Sequence, residues 1–163
     1  MTTTKRVAVA ALAAASLMLA GDSGLANGVE PFTALPGRWV GDGRLGFKDG
    51  KVEIVKCRAT YFLADDTDQL TQNIRCAAAS GAIEVKSSVT HQSGSLSGTW
   101  SEEMHNMAGV LTGQVTKQGF RVIVKGDDMS ANMEIIVKGV KQIIEIQFNT
   151  SALVGLSLVL EKN

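Results

Sequence analysis

The chain is poor in the residues that carry most recognisable chemistry. It has two histidines, two cysteines and two prolines in 163 residues, aromatics make up 5%, and sixteen basic side chains are balanced by sixteen acidic ones. Without a basic excess no field gathers phosphates, and the few aromatics do not alternate with Lys or Arg to form stacking platforms, so nucleic acid is excluded as a partner. Two prolines leave no room for a Pro-rich linker. Two histidines, neither in a motif with a nucleophile and an orienting group, supply no catalytic triad, and a non-catalytic protein is expected. Asp65-Asp66-Thr67-Asp68 lacks the glycine and the terminal glutamate of a calcium loop and reads as a solvated hairpin turn. No metal or other cofactor is expected, because a domain of this size buries about 68% of its unfolded surface and is stable without one.

Long apolar runs are also missing. The longest, Val7 to Ala20, falls short of the roughly 20 residues that cross a bilayer, so no membrane span is expected. It follows Lys5-Arg6 and precedes Gly24-Leu25-Ala26, the pattern of a secretory signal peptide over residues 1–26 cleaved near Ala26. No cysteine lies near the cleavage region to carry a lipid. The expected product is a secreted protein of the bacterial periplasm, with residues 27–37 as a segment capping the domain and residues 38–163 as one domain. Removing Lys5, Arg6 and Asp22 leaves 14 basic against 15 acidic side chains.

What is present is a two-residue alternation of apolar and polar side chains, broken by Gly, Asp, Asn and Ser about every ten residues. It predicts an all-β domain, an antiparallel up-and-down meander of about ten strands. Hairpin geometry tests the facing, since directly opposed residues share one side of a sheet. A turn at Ser93-Gly94 pairs Val85 with Glu102, Ser87 with Trp100, Val89 with Gly98 and His91 with Leu96. The other face then carries Glu84, Lys86, Ser88 and Thr90 with Ser97, Thr99, Ser101 and Glu103, and belongs in water. Later turns pair Val115 with Phe120, Val122 with Met133 and Val124 with Ala131, and the apolar side continues through Ile144, Ile146 and Phe148 into Val154, Leu156 and Leu158. A meander with one continuous apolar face closes into a small soluble barrel, with a two-sheet sandwich as the alternative. A membrane barrel would carry its apolar face outward. Glycines inside strands at 41, 43, 46, 98, 113 and 155 suit the bends of closure.

A turn at Asp66-Thr67 places Cys57 directly opposite Cys76, and in a secreted chain the pair is expected to be oxidised. Val52 and Ile54 have the opposite parity to Cys57. A bulge near Val55-Lys56 is therefore expected; without one, Lys56, Arg58 and Thr60 would face inward.

Gly37-Arg38-Trp39 after a Pro-containing segment, echoed by Gly98-Thr99-Trp100, resembles the opening of calycin-type barrels, the lipocalins and nitrobindin-like proteins. The resemblance implies a small apolar or amphipathic ligand inside the barrel and a structural role for Trp39 across its closed end. Nitrobindin-like proteins bind haem through a histidine, but His91 and His105 fit no such pattern and haem is not expected. The candidate pocket comprises Trp39, Trp100, Glu102, Val122, Met133, Ile146 and Leu156. Glu102, an inward carboxylate, needs a partner or water, whereas His91 is expected at the solvated rim. The chain also resembles small periplasmic inhibitors of bacterial metalloproteases, which plug a protease cleft with an N-terminal segment. Asn27 to Pro36 would be that segment, although the cysteine spacing and the strand after Trp39 differ from the inhibitor pattern. A purely structural envelope protein is the remaining alternative.

Overall fold

The computed structural model describes residues 30–149 and 152–163; the expected signal peptide and its cleavage point lie outside them. Ten strands follow in chain order: β1 (Gly37–Phe47), β2 (Val52–Leu63), β3 (Gln69–Ala78), β4 (Gly81–Gln92), β5 (Ser95–Glu102), β6 (Met107–Thr116), β7 (Gly119–Gly126), β8 (Ser130–Lys138), β9 (Lys141–Phe148) and β10 (Leu153–Lys162). Each pairs antiparallel with its chain neighbours, and β1 pairs with β10 to close one barrel rather than two stacked sheets. Among the described residues no helix is long and apolar enough to cross a membrane.

The expected pairings hold residue for residue: Val85 opposes Glu102, Ser87 opposes Trp100, Val122 opposes Met133, and Cys57 opposes Cys76. Short turns leave little freedom in register, and the apolar alternation selects within it. The two cysteines form a disulfide with Cα atoms 4.1 Å apart.

Three local expectations are corrected. β2 has no bulge: its register against β1 and β3 is continuous, and Glu53, Val55, Cys57, Ala59 and Tyr61 face inward. Lys56, Arg58 and Thr60 therefore point outward, and the cost falls on Val52 and Ile54, which are 62% and 58% exposed. The inward Glu53 is tolerated because Lys51 Nζ lies 2.5 Å from its Oε1 and the Ser80 N–H donates to its Oε2 at 2.9 Å. In β10, Val154 is exposed instead of continuing the apolar side, because the register shifts between Gly46 and Phe47 and turns Leu153 inward. The turn expected from His105 to Ala108 spans residues 103–106, and Met107 already belongs to β6.

The Lys51 and Ser80 contacts, in that order, hold the Glu53 carboxyl down at about 2, below its ordinary 4.5. A lowered folded-state value stabilises the fold above the unfolded value, and that contribution disappears as pH falls from about 4.5 toward about 2. Melting temperature followed by circular dichroism should fall through this window, and Glu53→Gln should flatten the fall. An equally steep fall in the variant would assign it to other carboxylates.

The chain enters the barrel through a turn over residues 31–34 that buries Phe32 and Leu35. Phe32 stacks obliquely on Phe120 at 5.7 Å and meets His91 edge-on at 6.1 Å. Trp39, with no exposed surface, donates its indole N–H to the Leu35 carbonyl at 2.7 Å and abuts Tyr61 at 6.5 Å. This end of the barrel also carries the β2–β3, β4–β5, β6–β7 and β8–β9 turns, and it is filled.

Candidate functional site

From this floor an elongated cavity of about 270 Å³ runs along the barrel interior. Phe32, Leu35, Tyr61 and Gln142 line it at the filled end. At the opposite end it reaches Ile83, Met107, Met129 and Leu153, beside the β3–β4, β5–β6, β7–β8 and β9–β10 turns. Ile83 and Met107 are each 38% exposed, so solvent meets the cavity there. Its volume is about nine times the ~30 Å³ that one water occupies in the liquid, enough for a ligand of roughly ten non-hydrogen atoms.

Six of the seven candidate residues come together on this wall: Trp100, Glu102, Val122, Met133, Ile146 and Leu156. Trp39 is not among them. Phe32, Leu35 and Tyr61 line the floor while Trp39 is wholly buried, with its indole N–H on the Leu35 carbonyl and its ring covered by Lys162 Nζ at 5.5 Å. Trp39, expected in the pocket, packs beneath its floor instead. Trp100 reaches the cavity and donates its N–H across β6 to the Lys125 carbonyl of β7 at 3.1 Å.

Glu102 is 1% exposed, yet its carboxylate is fully engaged. It accepts the backbone N–H groups of His105 at 2.7 Å, Met104 at 3.2 Å and Glu84 at 3.3 Å, and His105 Nδ1 lies 2.9 Å from its Oε2. Burial pushes this carboxyl up, but the His105 and Glu84 N–H groups, the His105 ring and the Met104 N–H together hold it below the ordinary range. These bonds cap the β5–β6 turn and draw it two residues earlier than the sequence suggested, with Asn106 at a φ of 53°. Glu102 is thus a capping residue at the cavity mouth, with its hydrogen-bonding capacity largely used.

At the floor the polar groups are arranged differently. The Tyr61 hydroxyl donates to Gln142 Oε1 at 3.0 Å, and Gln142 has no exposed surface. Burial drives the phenol well above its ordinary range against the weaker opposing effect of that bond, so Tyr61 is uncharged. The Gln142 Nε2 amide, buried on the cavity wall, has no hydrogen-bond partner. Neither residue stood out in the sequence. The available signal was an amide at the inward position of the apolar series Gln142, Ile144, Ile146, Phe148.

His91 is partly buried beside Phe32, its Nε2 accepting the Gly94 N–H at 3.0 Å and its Nδ1 3.6 Å from Asp68 Oδ1. With Glu30 and Asp68 it forms a group whose ligand atoms lie within 4.8 Å of one another. The Gly94 bond uses the Nε2 lone pair of the neutral ring and leaves the proton on Nδ1, so the nitrogen facing the carboxylates has no pair to give a metal. The described part of the N-terminal segment is likewise committed: Phe32 and Leu35 are in the core, leaving Glu30, Thr33 and Ala34 exposed.

No protein-family model matches the chain, and no curated protein matches it in sequence. Solved structures do share its architecture. Rv2717c from M. tuberculosis superposes with a TM-score of 0.68 at 12% identity, over 81% of this chain and 94% of that one. The S-type phycobiliprotein lyase CPES from Guillardia theta superposes with a TM-score of 0.62, also at 12% identity, over 81% of this chain and 89% of its own. The chain shares the fold of these barrels. At this identity the likeness establishes architecture and leaves ligand and activity to the site itself.

Proposed function

We propose that this is a non-catalytic binding protein for a small hydrophobic or amphipathic molecule, held inside the barrel, and that it acts after secretion into the periplasm. The observation that carries the reading is the cavity: about 270 Å³, walled by apolar side chains, filled at one end and open to solvent at the other. A preformed apolar cleft with a few placed polar groups is the usual form of a small-molecule site. The signal-peptide pattern of residues 1–26 supports the location.

Native mass spectrometry of protein purified from periplasm is expected to show a discrete excess mass that disappears on denaturation. Met133→Trp, which places an indole in the cavity, should lower the ligand-bound fraction at least about tenfold while circular dichroism keeps the barrel signature. A folded variant that retains its cargo would place the site elsewhere, and a bare wild-type chain that takes up no apolar probe would remove the binding reading.

A further inference from the structure

The cavity's polar groups also specify which chemistry its ligand presents to the floor; this rests on the binding reading above. Among the residues lining the cavity only Tyr61 and Glu102 are ionisable. Glu102 lies at the mouth, occupied by four donors from its own turn and from β4. No lysine or arginine lines the cavity, so an anionic head group carried to the floor would leave water with no opposite charge to meet it.

The floor holds a fully buried donor without an acceptor, beside the half-buried Gln72 that stands opposite Tyr61. Gln142 is fully buried, and Nε2 is unpaired while Oε1 takes the Tyr61 proton. Reversing the amide would exchange that bond for one from Nε2 to the phenol oxygen and leave the phenol proton and one N–H unpaired, so in either orientation the floor holds donors without acceptors. A buried unpaired N–H is rare and carries a desolvation cost that a matching acceptor removes. We infer that the ligand is a neutral, largely aliphatic or aromatic molecule whose inner end bears a carbonyl-type oxygen accepting a hydrogen bond from Gln142 Nε2. The chain of the molecule then lies along Met133, Val122 and Leu156, and its outer end faces Met107 and Met129, whose flexible side chains accommodate varied shapes.

The test compares three probes of nearly equal size: methyl heptyl ketone, the isosteric alkene in which a methylene replaces the carbonyl oxygen, and nonanoate. Calorimetric titration of the mature protein should give an affinity for the ketone about three- to tenfold above that for the alkene. Nonanoate should bind more weakly than either. In labelled protein the Gln142 side-chain amide resonances should move with the ketone and stay in place with the alkene. In Gln142→Met the ketone should lose its advantage while alkene binding remains; should that variant not fold, the wild-type probe comparison and the amide resonances still decide. Equal affinities for ketone and alkene would overturn the role of Gln142 and leave the binding reading standing. Tightest binding by nonanoate would overturn the neutral head group. Binding of none of the three would remove the binding reading and this inference with it.

Discussion

Trp39→Ala should be the most damaging single truncation in the barrel, costing about 3 to 5 kcal/mol in a urea unfolding curve. The side chain has no exposed surface, so its removal empties a volume that Tyr61, Leu35 and the strand backbones cannot collapse to fill. It also strips the Leu35 carbonyl of its 2.7 Å partner in a buried setting. Trp39→Phe separates the two effects, since it restores much of the ring and lacks the N–H. That variant should recover most of the loss and remain about 1 kcal/mol below wild type. A loss under about 1 kcal/mol in the alanine variant would mean that the filled end of the barrel does not depend on this residue.

Gly41→Val should also destabilise the barrel, by about 3 kcal/mol, although valine is the better strand former. An added Cβ at Gly41 falls on the Val159 carbonyl of β10, with its carbon 2.9 Å and the Leu160 Cα 3.0 Å away. The obstacle is backbone and has no rotamer by which to yield, so β1 and β10 must separate at the seam that closes the sheet. Gly46→Val is the control on the same strand. The Cβ there meets only the Gly155 carbonyl at 3.8 Å, ordinary contact, and the substitution should be neutral or slightly stabilising. Chemical denaturation of the two variants side by side checks both signs. Equal behaviour would mean that the seam shifts to make room.

The ladder of this barrel is legible in the sequence because every hairpin turn is short and one face is apolar, so a slip of one residue would put Leu96 in water and Thr99 in the core. The same logic placed Cys57 against Cys76 and set Trp100, Val122, Met133, Ile146 and Leu156 on a common wall. It failed in β2. There Val52 and Ile54 resemble core and Glu53 resembles surface, and only Lys51 and Ser80, from two different turns at one end, make the inward carboxylate acceptable. Val154 failed for a related reason, since a register shift at Gly46 leaves no mark in a local alternation. The floor of the cavity was the least legible part. Tyr61 and Gln142 are 81 residues apart, and their pairing, with the one amide hydrogen-bonding group it leaves over, exists only after the sheet has closed.

That closure has a consequence for the order in which the molecule is made. β1 is paired on one side by β2 as soon as the first hairpin forms, but its other edge waits for β10, and Asn163 N–H donates to the Arg38 carbonyl only once the chain through residue 163 is present. Nine hairpins can assemble locally and quickly as the polypeptide emerges, while the final seam joins residues more than a hundred positions apart. Until it does, the growing sheet presents two raw edges, β1 and the newest strand, each able to add a foreign strand or the matching edge of another unfinished copy. Loss of the last residues of β10 would therefore act less on the cavity than on solubility, baring the edge of β1 to the matching strand of a neighbour.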